Sequence, residues 1–510
     1  MKIKAVKKVI ALCMATVMTA GMLTGCGSSG SENSSSNTGG AAQTGETGEL
    51  NTDEEVELVM YVISDRPAGQ DVVDEKINEI LKEKLNCTLK INWLGWAEYA
   101  NKYPLLFSSG EEFDLAYCAT WVNFTSLAQK GAFKNLDELW PTYAPDNFAA
   151  ATEAAKQQAT VSGHYYCVPT QLATYTAYGP IYRGDLTEGS DWDGVMETFE
   201  DIEEYCDIVK ATHPEIDPID QYSMGPEWSY VYMLNQGFTT VDKSLRYMWF
   251  DPTEENPQVF TIDSYEGISD FLEMMGRWNE KGFFSKSALS DTDSQKTQNG
   301  KAALKLHNID NYRTQAILNP DWNFHYTNLV KDVSHLPYTQ DCMVISNTSK
   351  HPERAMAFWN LLTTDQELYD AVMYGVEGVT YTLNDNGEFE ITDTDLYIEG
   401  AMWAARTNGL TRNQVGTPED YEPQKEEYEK KIVEGQGAER FASFVFDTSP
   451  VETEIAACSN VTTQYWFPLE LAYTDRVTGL EEYVEKMKVA GMDKIVEEAQ
   501  RQLDEYVANH

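Results

Sequence analysis

The chain has 510 residues, of which 82 are Asp or Glu and 38 are Lys or Arg, so its formal net charge is −44. This acidity excludes nucleic acid as a partner, because phosphate binding requires a surface rich in Lys and Arg. It also argues against a protein that lies flat on an anionic bilayer.

Residues 1–25 have the pattern of a secretory signal peptide. Four lysines precede an apolar stretch at 9–23, which is too short to span a bilayer. The sequence Leu-Thr-Gly-Cys at 23–26 closes this stretch and resembles the lipobox of bacterial lipoproteins. We therefore expect lipid attachment at Cys26 and a lipid-anchored protein on the extracellular face of the cell membrane. The alternative is an ordinary signal peptide with an accidental cysteine.

Residues 26–55 are predicted to form a flexible tether that starts at the lipidated cysteine. Between residues 27 and 50, Leu50 is the only large apolar residue. Such a segment buries too little apolar surface to offset the entropy that it would lose on ordering. We therefore expect the protein to contact the membrane through its lipid anchor only.

After the tether, strand patterns alternate with helix patterns. Strands are predicted at 56–63, 87–94 and 113–118, and apolar residues at helical spacing predict helices at 71–86 and 96–107. Alternating units of this kind favour an α/β fold, in which helices cover both faces of a parallel sheet.

The rest of the chain is predicted to contain further helices at 199–210, 265–279, 352–362 and 478–507, with a hairpin turn at Asn386-Gly387. The roughly 455 residues that follow the tether are too many for one hydrophobic core and fit two lobes.

Neither the spacing of the cysteines nor a search for common catalytic motifs indicates a metal or a cofactor. The six cysteines of the body are spread along the sequence without a C-x-x-C pair, which argues against a disulfide framework and a zinc site. A Walker loop, a G-x-S-x-G elbow and an H-E-x-x-H motif are absent from the sequence. We therefore expect a protein without cofactor or metal, and we find no positive indication of an enzyme.

Five stretches resemble, in order, segments of the family 1 extracellular solute-binding proteins of bacterial ABC importers, especially their oligosaccharide-binding lipoproteins. They are SGHYYCVP at 162–169, PIYRGDL at 180–186, QNGKAAL at 298–304, VISNTSKHPERA at 344–355 and YGVEGVTY at 374–381. Two positions depart from the usual family pattern, with His164 in place of Lys and Cys167 in place of Gly.

The resemblance implies a two-lobed, periplasmic-binding-protein-like α/β fold with a ligand cleft between the lobes and a hinge of crossing strands. The first lobe is expected to comprise 56–170 with 341–373, and the second 171–340 with 374–510. An oligosaccharide would bind in the cleft of a monomer and shift it to a closed shape. The permease subunits of an ABC transporter would then recognise that shape.

Candidate ligand-binding residues are chosen from aromatic and polar side chains that follow strands or lie in loops, because clefts of open α/β sheets lie beyond the carboxyl ends of the strands. Aromatic rings suit the apolar faces of sugars. The candidates are Asp65, Arg66, Trp96, Trp121, Tyr175, Trp228, His307, Asn308, Glu377 and Arg412. His307 and Asn308 enter through the resemblance, since family members place sugar contacts there. Trp249, Trp278 and Trp359 are predicted to be core residues.

Other functions remain open at this point. The same fold would serve a binder of peptides, amino sugars or other small solutes. A surface glycoside hydrolase would differ by turnover of the glycan that it binds. A purely adhesive surface protein should contain repeats, and the sequence has none.

Overall fold

The computed structural model of the protein describes residues 50–96, 99–192, 194–223, 227–394, 396–397, 401–407, 409–434 and 437–509. The predicted signal peptide, the lipidation site Cys26 and the tether up to residue 49 lie outside these residues. Among the described helices, none is long and apolar enough to cross a membrane.

The first lobe is built on a mixed sheet with the strand order β2-β1-β3-β14-β6. Strands β1 and β2 pair in parallel along their whole length, β3 is parallel to β1, and β14 runs antiparallel to both β3 and β6. These strands are β1 (Val56–Ile63), β2 (Cys87–Leu94), β3 (Leu115–Cys118), β6 (Val168–Pro169) and β14 (Cys342–Ile345). The predictions for 56–63 and 87–94 are confirmed residue for residue.

Helices cover this sheet because their apolar residues recur on one face. In α1 the side chains of Val73, Ile77 and Ile80 are buried, at the spacing that brings them to one side of a helix. The first-lobe helices are α1 (Gln70–Leu85), α2 (Tyr99–Ser108), α3 (Phe124–Gln129), α4 (Leu139–Tyr143), α5 (Pro145–Ala150), α6 (Glu153–Gln158), α11 (Pro352–Leu362) and α12 (Gln366–Met373). The lobe also contains the short hairpin β4 (Thr160–Val161) with β5 (His164–Tyr165).

The second lobe has one sheet in the order β13-β7-β12-β8 and a smaller one in the order β11-β10-β9. Its strands are β7 (Gly179–Arg183), β8 (Asp217–Ile219), β9 (Thr239–Thr240), β10 (Met248–Phe250), β11 (Phe260–Thr261), β12 (Ala302–His307) and β13 (Phe324–Tyr326). Its helices are α7 (Phe199–Thr212), α8 (Trp228–Gln236), α9 (Ile268–Lys281), α10 (Ile309–Leu318) and α13 (Tyr421–Val433). Trp249 and Trp278 are fully buried in this lobe and Trp359 in the first lobe, which confirms that they are core residues.

The C-terminal part continues the second lobe with α14 (Glu452–Val461), a π-helical turn (Thr462–Trp466), α15 (Phe467–Glu470), α16 (Arg476–Ala490) and α17 (Met492–Asn509). The single helix predicted at 478–507 is therefore two helices. Gly491 separates them in a left-handed conformation with a φ of 100°, which ends α16.

The described residues of 374–394, 396–397 and 401–405 pack on the first lobe, although we expected everything after 373 to belong to the second. The Tyr374 ring stacks on Phe389 with centroids 4.2 Å apart, and the Tyr397 hydroxyl donates to the carbonyl of Val372 at 3.1 Å. Phe389 lies in β16 (Phe389–Ile391), which pairs with β15 (Tyr381–Leu383). Apolar side chains of this segment share the first-lobe core. The predicted division is wrong here because the hairpin folds back onto α12.

The hinge is formed by segments that run between the two cores. Residues 170–178 cross towards β7, and residues 334–341 return antiparallel to them. The Thr176 amide donates to the carbonyl of Ser334 at 2.9 Å, and the Leu336 amide donates to that of Thr174 at 2.8 Å. A further crossing follows Val415, which still pairs with the first-lobe hairpin, and leads into α13.

The six body cysteines are buried and free. Cys118 in β3 and Cys342 in β14 are register partners on adjacent strands of the first-lobe sheet. The two strands come from distant parts of the sequence, since the adjacent residues Tyr117 and Asp341 are 224 positions apart. Burial raises the pKa of both thiols well above the ordinary value, so they are unreactive core residues at neutral pH.

Candidate functional site

The first-lobe side of the site is a shelf of three tryptophans, which we call the aromatic wall: Trp96, Trp121 and Trp403. The Trp96 ring stacks on Trp121 with centroids 6.2 Å apart and on Trp403 with centroids 5.9 Å apart. Trp96 and Trp121 follow β2 and β3, whose carboxyl ends meet at one edge of the sheet. The Trp96 side remains accessible, with 45% of the residue exposed. Both were chosen because each follows a strand, and the structure brings their rings into contact; their role in ligand binding stays a prediction.

Two tyrosines pack edge-on against the rings of the aromatic wall and hold them in place. Tyr99 packs edge-on against both Trp96 and Trp121, with centroid distances of 5.7 and 5.8 Å. Tyr117, which is buried, packs edge-on against Trp403 at 5.7 Å. Rings held on several sides lose little further freedom when a ligand stacks on them, so the aromatic wall is pre-organised.

Asp65 contributes to this wall through the backbone. Its carboxylate accepts a hydrogen bond from the amide of Trp96 at 3.2 Å. Gly95 permits this approach, because a Cβ at that position would lie 2.5 Å from the Asp65 Oδ1 atom. Asp65 thus fixes the turn that carries Trp96.

The floor of the site links the two lobes by charge. Asp341, at the end of the returning hinge segment, accepts a hydrogen bond from the Tyr117 hydroxyl at 2.6 Å and pairs with Arg406 at 2.8 Å. Arg406 also lies 3.9 Å from Asp310, in the first turn of α10 in the second lobe. Burial alone would raise the pKa of Asp310, but the positive charges of Arg406 and Arg313 hold it below the ordinary value.

The second-lobe side, which we call the polar wall, consists of Tyr178, Glu227, Lys243, Arg246 and His307. Tyr178 directly precedes β7 and His307 ends the antiparallel β12, so they lie at the same edge of the sheet. Their rings stack with centroids 5.7 Å apart. The Glu227 carboxylate accepts hydrogen bonds from the Tyr178 hydroxyl and, at 2.7 Å, from Arg246.

The charges of the polar wall are tuned by burial and by one another. Burial, followed by the positive charges of Lys305 and Lys243, lowers the pKa of His307 to about 4, so its imidazole is neutral at pH 7. Burial alone would raise the pKa of Glu227, but Arg246 and Lys243 hold it below its usual value. A neutral imidazole and an ionised carboxylate are both good partners for hydroxyl groups.

Lys243 connects the polar wall with the floor. Its ammonium lies 5.6 Å from the centroid of the Tyr178 ring. The surrounding protein lowers the pKa of Lys243 by desolvation, while the charges of Glu227 and Asp341 act in the opposite direction. Glu227 of the polar wall and Asp341 of the floor therefore both act electrostatically on Lys243.

Trp228 is a core residue, so its interpretation as a sugar platform is wrong. It is 2% exposed, and its ring packs edge-on against Trp278 with centroids 4.9 Å apart. The residue next to it, Glu227, is the one whose side chain binds Tyr178 and Arg246. Trp228 begins α8 and faces inwards.

The other predicted residues occupy different places. Arg66 pairs with Asp71 at 2.5 Å on the exposed start of α1. Tyr175 lies in the hinge, where its hydroxyl donates to Glu429 at 2.8 Å. Asn308 caps α10 by accepting a hydrogen bond from the Asn311 amide at 3.0 Å. These side chains position the hinge and the helices beside the cleft.

Glu377 and Arg412 belong to the hairpin that folds onto the first lobe. Glu377 is exposed in the turn before β15. The Arg412 guanidinium binds both carboxylate oxygens of Asp370, with distances from 2.8 to 3.1 Å, and donates to the carbonyl of Gly387 at 3.2 Å. Arg412 therefore ties the hairpin to α12, and the structure explains it without a ligand.

Sequence reasoning missed most of the polar wall. Tyr178, Glu227, Lys243 and Arg246 belong to segments without a shared motif, and the structure alone brings them together. Trp403 was also missed, because the segment that carries it was assigned to the other lobe. Tyr178 could have been found from its position directly before β7. That strand pairs antiparallel with β12, so its start lies beside His307 at the end of β12.

Two family models match the chain. The model described as bacterial extracellular solute-binding protein matches residues 66–368, and the model of a domain of unknown function, DUF3502, matches residues 440–508.

Known proteins resemble the chain over most of its length. A carbohydrate ABC transporter substrate-binding protein of Streptococcus pneumoniae serotype 4 is 27% identical over 474 residues, which covers 89% of this chain and 91% of the relative. The crystal structure of the N-glycan transport solute-binding protein NgtS of S. pneumoniae, in complex with Man1GlcNAc, has a TM-score of 0.74 at 24% identity and covers 89% of this chain and 100% of that one.

A third protein extends the likeness in fold. The S. pneumoniae substrate-binding protein FusA, in complex with kestose, has a TM-score of 0.63 at 14% identity and covers 89% of this chain and 100% of its own. These likenesses confirm the predicted two-lobed α/β fold.

Proposed function

Because the chain belongs to the bacterial extracellular solute-binding proteins, we propose that it captures an oligosaccharide between its aromatic and polar walls and delivers it to an ABC transporter permease by lobe closure. The observation that carries the proposal is the stacking of Trp96 with both Trp121 and Trp403 at the carboxyl-end edge of the first-lobe sheet. The carbohydrate relative and the glycan complex of NgtS support the same ligand class.

The chemistry of the two walls matches the two kinds of surface on a sugar. The apolar C–H face of a pyranose stacks on an aromatic ring, which supplies contact area at a low cost in conformational entropy. The hydroxyl groups at the ring edge need directional partners, and Glu227, Arg246 and His307 supply an ionised acceptor, a donor and a neutral imidazole. A sugar that spans both walls would hold the lobes closed.

The proposal includes the place and the form of the protein. We propose that it acts as a monomer, held on the extracellular face of the membrane by a lipid on Cys26. An acyl chain contributes about 0.8 kcal/mol per buried CH₂ to membrane affinity. Cys26→Ser should therefore release the protein or leave it unprocessed. A Cys26→Ser protein that is processed and still fractionates with membranes after a salt wash contradicts the anchor.

We also propose binding without chemistry, as the family membership supports. The test is titration calorimetry of the purified body against a panel of oligosaccharides that includes Man1GlcNAc and kestose, followed by recovery of the bound sugar. A saturable hit that is recovered intact after prolonged incubation, with compaction in small-angle scattering, supports capture and closure. Release of shorter sugars indicates the hydrolase, and binding of peptides in place of glycans overturns the ligand class.

A further inference from the structure

The C-terminal region 440–508, matched to a domain of unknown function, forms part of the second-lobe core. The Phe441 ring packs edge-on against Phe250 of β10, with centroids 4.8 Å apart. The buried side chains of Trp466 and Tyr483 belong to the same hydrophobic core as Trp228 and Trp249. The region is therefore packed directly behind the segments that carry the polar wall.

Within this region, Glu470 makes an unusual contact with the start of α8. Its side chain is fully buried. One carboxylate oxygen accepts a hydrogen bond from the Ser229 amide and the other from the Ser229 hydroxyl, both at 2.8 Å. The Trp466 indole N–H donates to the same carboxylate at 2.8 Å. Three donors thus converge on one buried carboxylate.

This contact replaces the cap that the helix would otherwise take from its own sequence. Glu227 stands at the N-cap position of α8, but its carboxylate points away to Tyr178 and Arg246. The exposed amides at a helix N-terminus require an acceptor and favour negative charge. Glu470 supplies the acceptor from another part of the chain, which leaves the Glu227 side chain free to bind Tyr178 and Arg246.

The π-helical turn at 462–466 brings the Glu470 group into place. Trp466 and Glu470 are four residues apart, so both side chains lie on the face directed towards Ser229. A wider turn of this kind is rare and shifts the residues that follow it around the helix axis. The turn therefore sets the direction in which Glu470 projects.

The same region also supports the second segment of the polar wall. Tyr247 and Trp249 follow Arg246 in the sequence, and both are buried in the same hydrophobic core as Cys458 of α14. The Trp249 indole N–H donates to the carbonyl of Arg246 at 2.8 Å. Both partners of the Glu227–Arg246 pair are thus held from behind by residues packed on the C-terminal helices.

We infer that the function of residues 440–508 is to position the polar wall, and that Glu470 is the positioning residue that holds the start of α8 so that Glu227 keeps its place between Tyr178 and Arg246. This inference rests on the proposed function, because it assigns to Glu227 a role in ligand binding.

The test replaces the carboxylate with an amide of the same shape. In Glu470→Gln, one carboxylate oxygen becomes an amide nitrogen that cannot accept, so at least one of the three donors loses its partner at a buried site. We expect about tenfold weaker binding of Man1GlcNAc by calorimetry. Glu454→Gln is the matched control, because Glu454 lies in the same region but pairs at 2.7 Å with Lys494 near the surface. It should leave affinity unchanged.

A double-mutant cycle separates positioning from a general loss of stability. If Glu470 acts through Glu227, the Glu470→Gln change should alter affinity less than about twofold in a Glu227→Gln background, since coupled residues are not additive. Fully additive losses overturn the inference. Ser229→Ala, which removes a single donor, should give a smaller loss of about threefold and serves if Glu470→Gln does not fold.

Hydrogen exchange provides a readout that needs no ligand. In Glu470→Gln, the amides at 229–231 should exchange at least about tenfold faster, while those of β1 in the first lobe remain as in the wild type. Equal acceleration in both lobes overturns the inference. If wild-type protein binds no glycan of the panel but the exchange pattern holds, the proposed ligand class fails and the positioning role stands.

Discussion

The two walls of the cleft use different physical means to form a binding surface. The aromatic wall consists of three tryptophan rings held by edge-on tyrosines. It presents apolar contact area, whose interactions do not depend on the direction of hydrogen bonds. The polar wall consists of charged and hydroxyl groups that bind one another before any ligand arrives. In the function that we propose, the first wall would supply contact energy to many sugars, whereas the second would select among them by direction.

The walls also differ in how they are supported. The aromatic wall is braced by its own lobe, through Asp65 and the tyrosines next to it in space. The polar wall depends on a distant part of the chain, because Glu470 caps the helix behind Glu227. A change far from the polar wall in sequence should therefore affect it more than an equally distant change affects the aromatic wall.

The largest expected effect separates two tryptophans of the same chemistry. Trp228→Ala removes a buried ring behind the polar wall and should lower the free energy of unfolding by about 3–5 kcal/mol. Thermal unfolding measures this loss directly. A melting temperature within a degree or two of the wild type would show that Trp228 is not packed in the core and would restore it as a candidate platform.

The next effect concerns the pH dependence of stability. Burial raises the pKa of Glu470 to about 7, against about 4.5 for an exposed Glu. The folded state therefore keeps a proton that the unfolded state has already released, and stability present below pH 4.5 is lost as the pH rises to 7. The shift corresponds to about 3 kcal/mol.

Denaturant unfolding of wild type and Glu470→Gln at several pH values isolates this contribution. The difference in unfolding free energy between the two proteins should change across pH 4.5–7 and stay constant above about pH 8. A difference that is independent of pH would mean that Glu470 titrates normally, and the account of the polar wall's support would need revision.

A smaller effect is expected on the aromatic wall. Trp96→Ala should weaken sugar binding by about 1–2 kcal/mol, roughly five- to thirtyfold, and leave the melting temperature nearly unchanged, because the ring is already 45% exposed. Trp96→Phe should recover part of the affinity. A large fall in melting temperature with unchanged affinity would show that the ring stabilises the lobe and does not bind the ligand.

The smallest effect should come from the charge at the edge of the polar wall. Lys243→Gln removes one positive charge near Glu227, but Arg246 stays paired with that carboxylate, so we expect a change in affinity of less than about 1 kcal/mol. Calorimetry at low and high salt checks it. An affinity loss as large as that of Trp96→Ala would mean that direction and charge, not aromatic area, dominate binding.

The sequence predicted the parts of the molecule that depend on local pattern. Strands β1 and β2 have the expected bounds because their alternation of buried and half-buried residues is visible along the chain. Trp96 and Trp121 were chosen because they follow β2 and β3, which both run parallel to β1 between them, and the carboxyl ends of parallel strands lie at one edge. Both successes follow from geometry that a short segment contains.

The failures share a cause as well. Arg412 lies near glycines in a loop, and nothing in the local sequence shows that Asp370 neutralises it. Glu227 stands beside the more conspicuous Trp228, and helix direction decides which of them faces the cleft. The polar wall is assembled from four separate segments between Tyr178 and His307, so its pattern exists in three dimensions only.

The hinge has a consequence for how the lobes can move. Within the described residues, three backbone segments join the two cores, at 170–178, at 334–341 and after 415. One covalent link would leave the lobes free to swivel and tilt about many axes. Several connections that lie side by side favour rotation of the lobes about a single hinge axis. In the lobe closure that we propose, the lobes would have few degrees of freedom to lose, and different ligands would produce nearly the same outer surface. The proposed permease partner would then recognise one shape while the sugar inside varies.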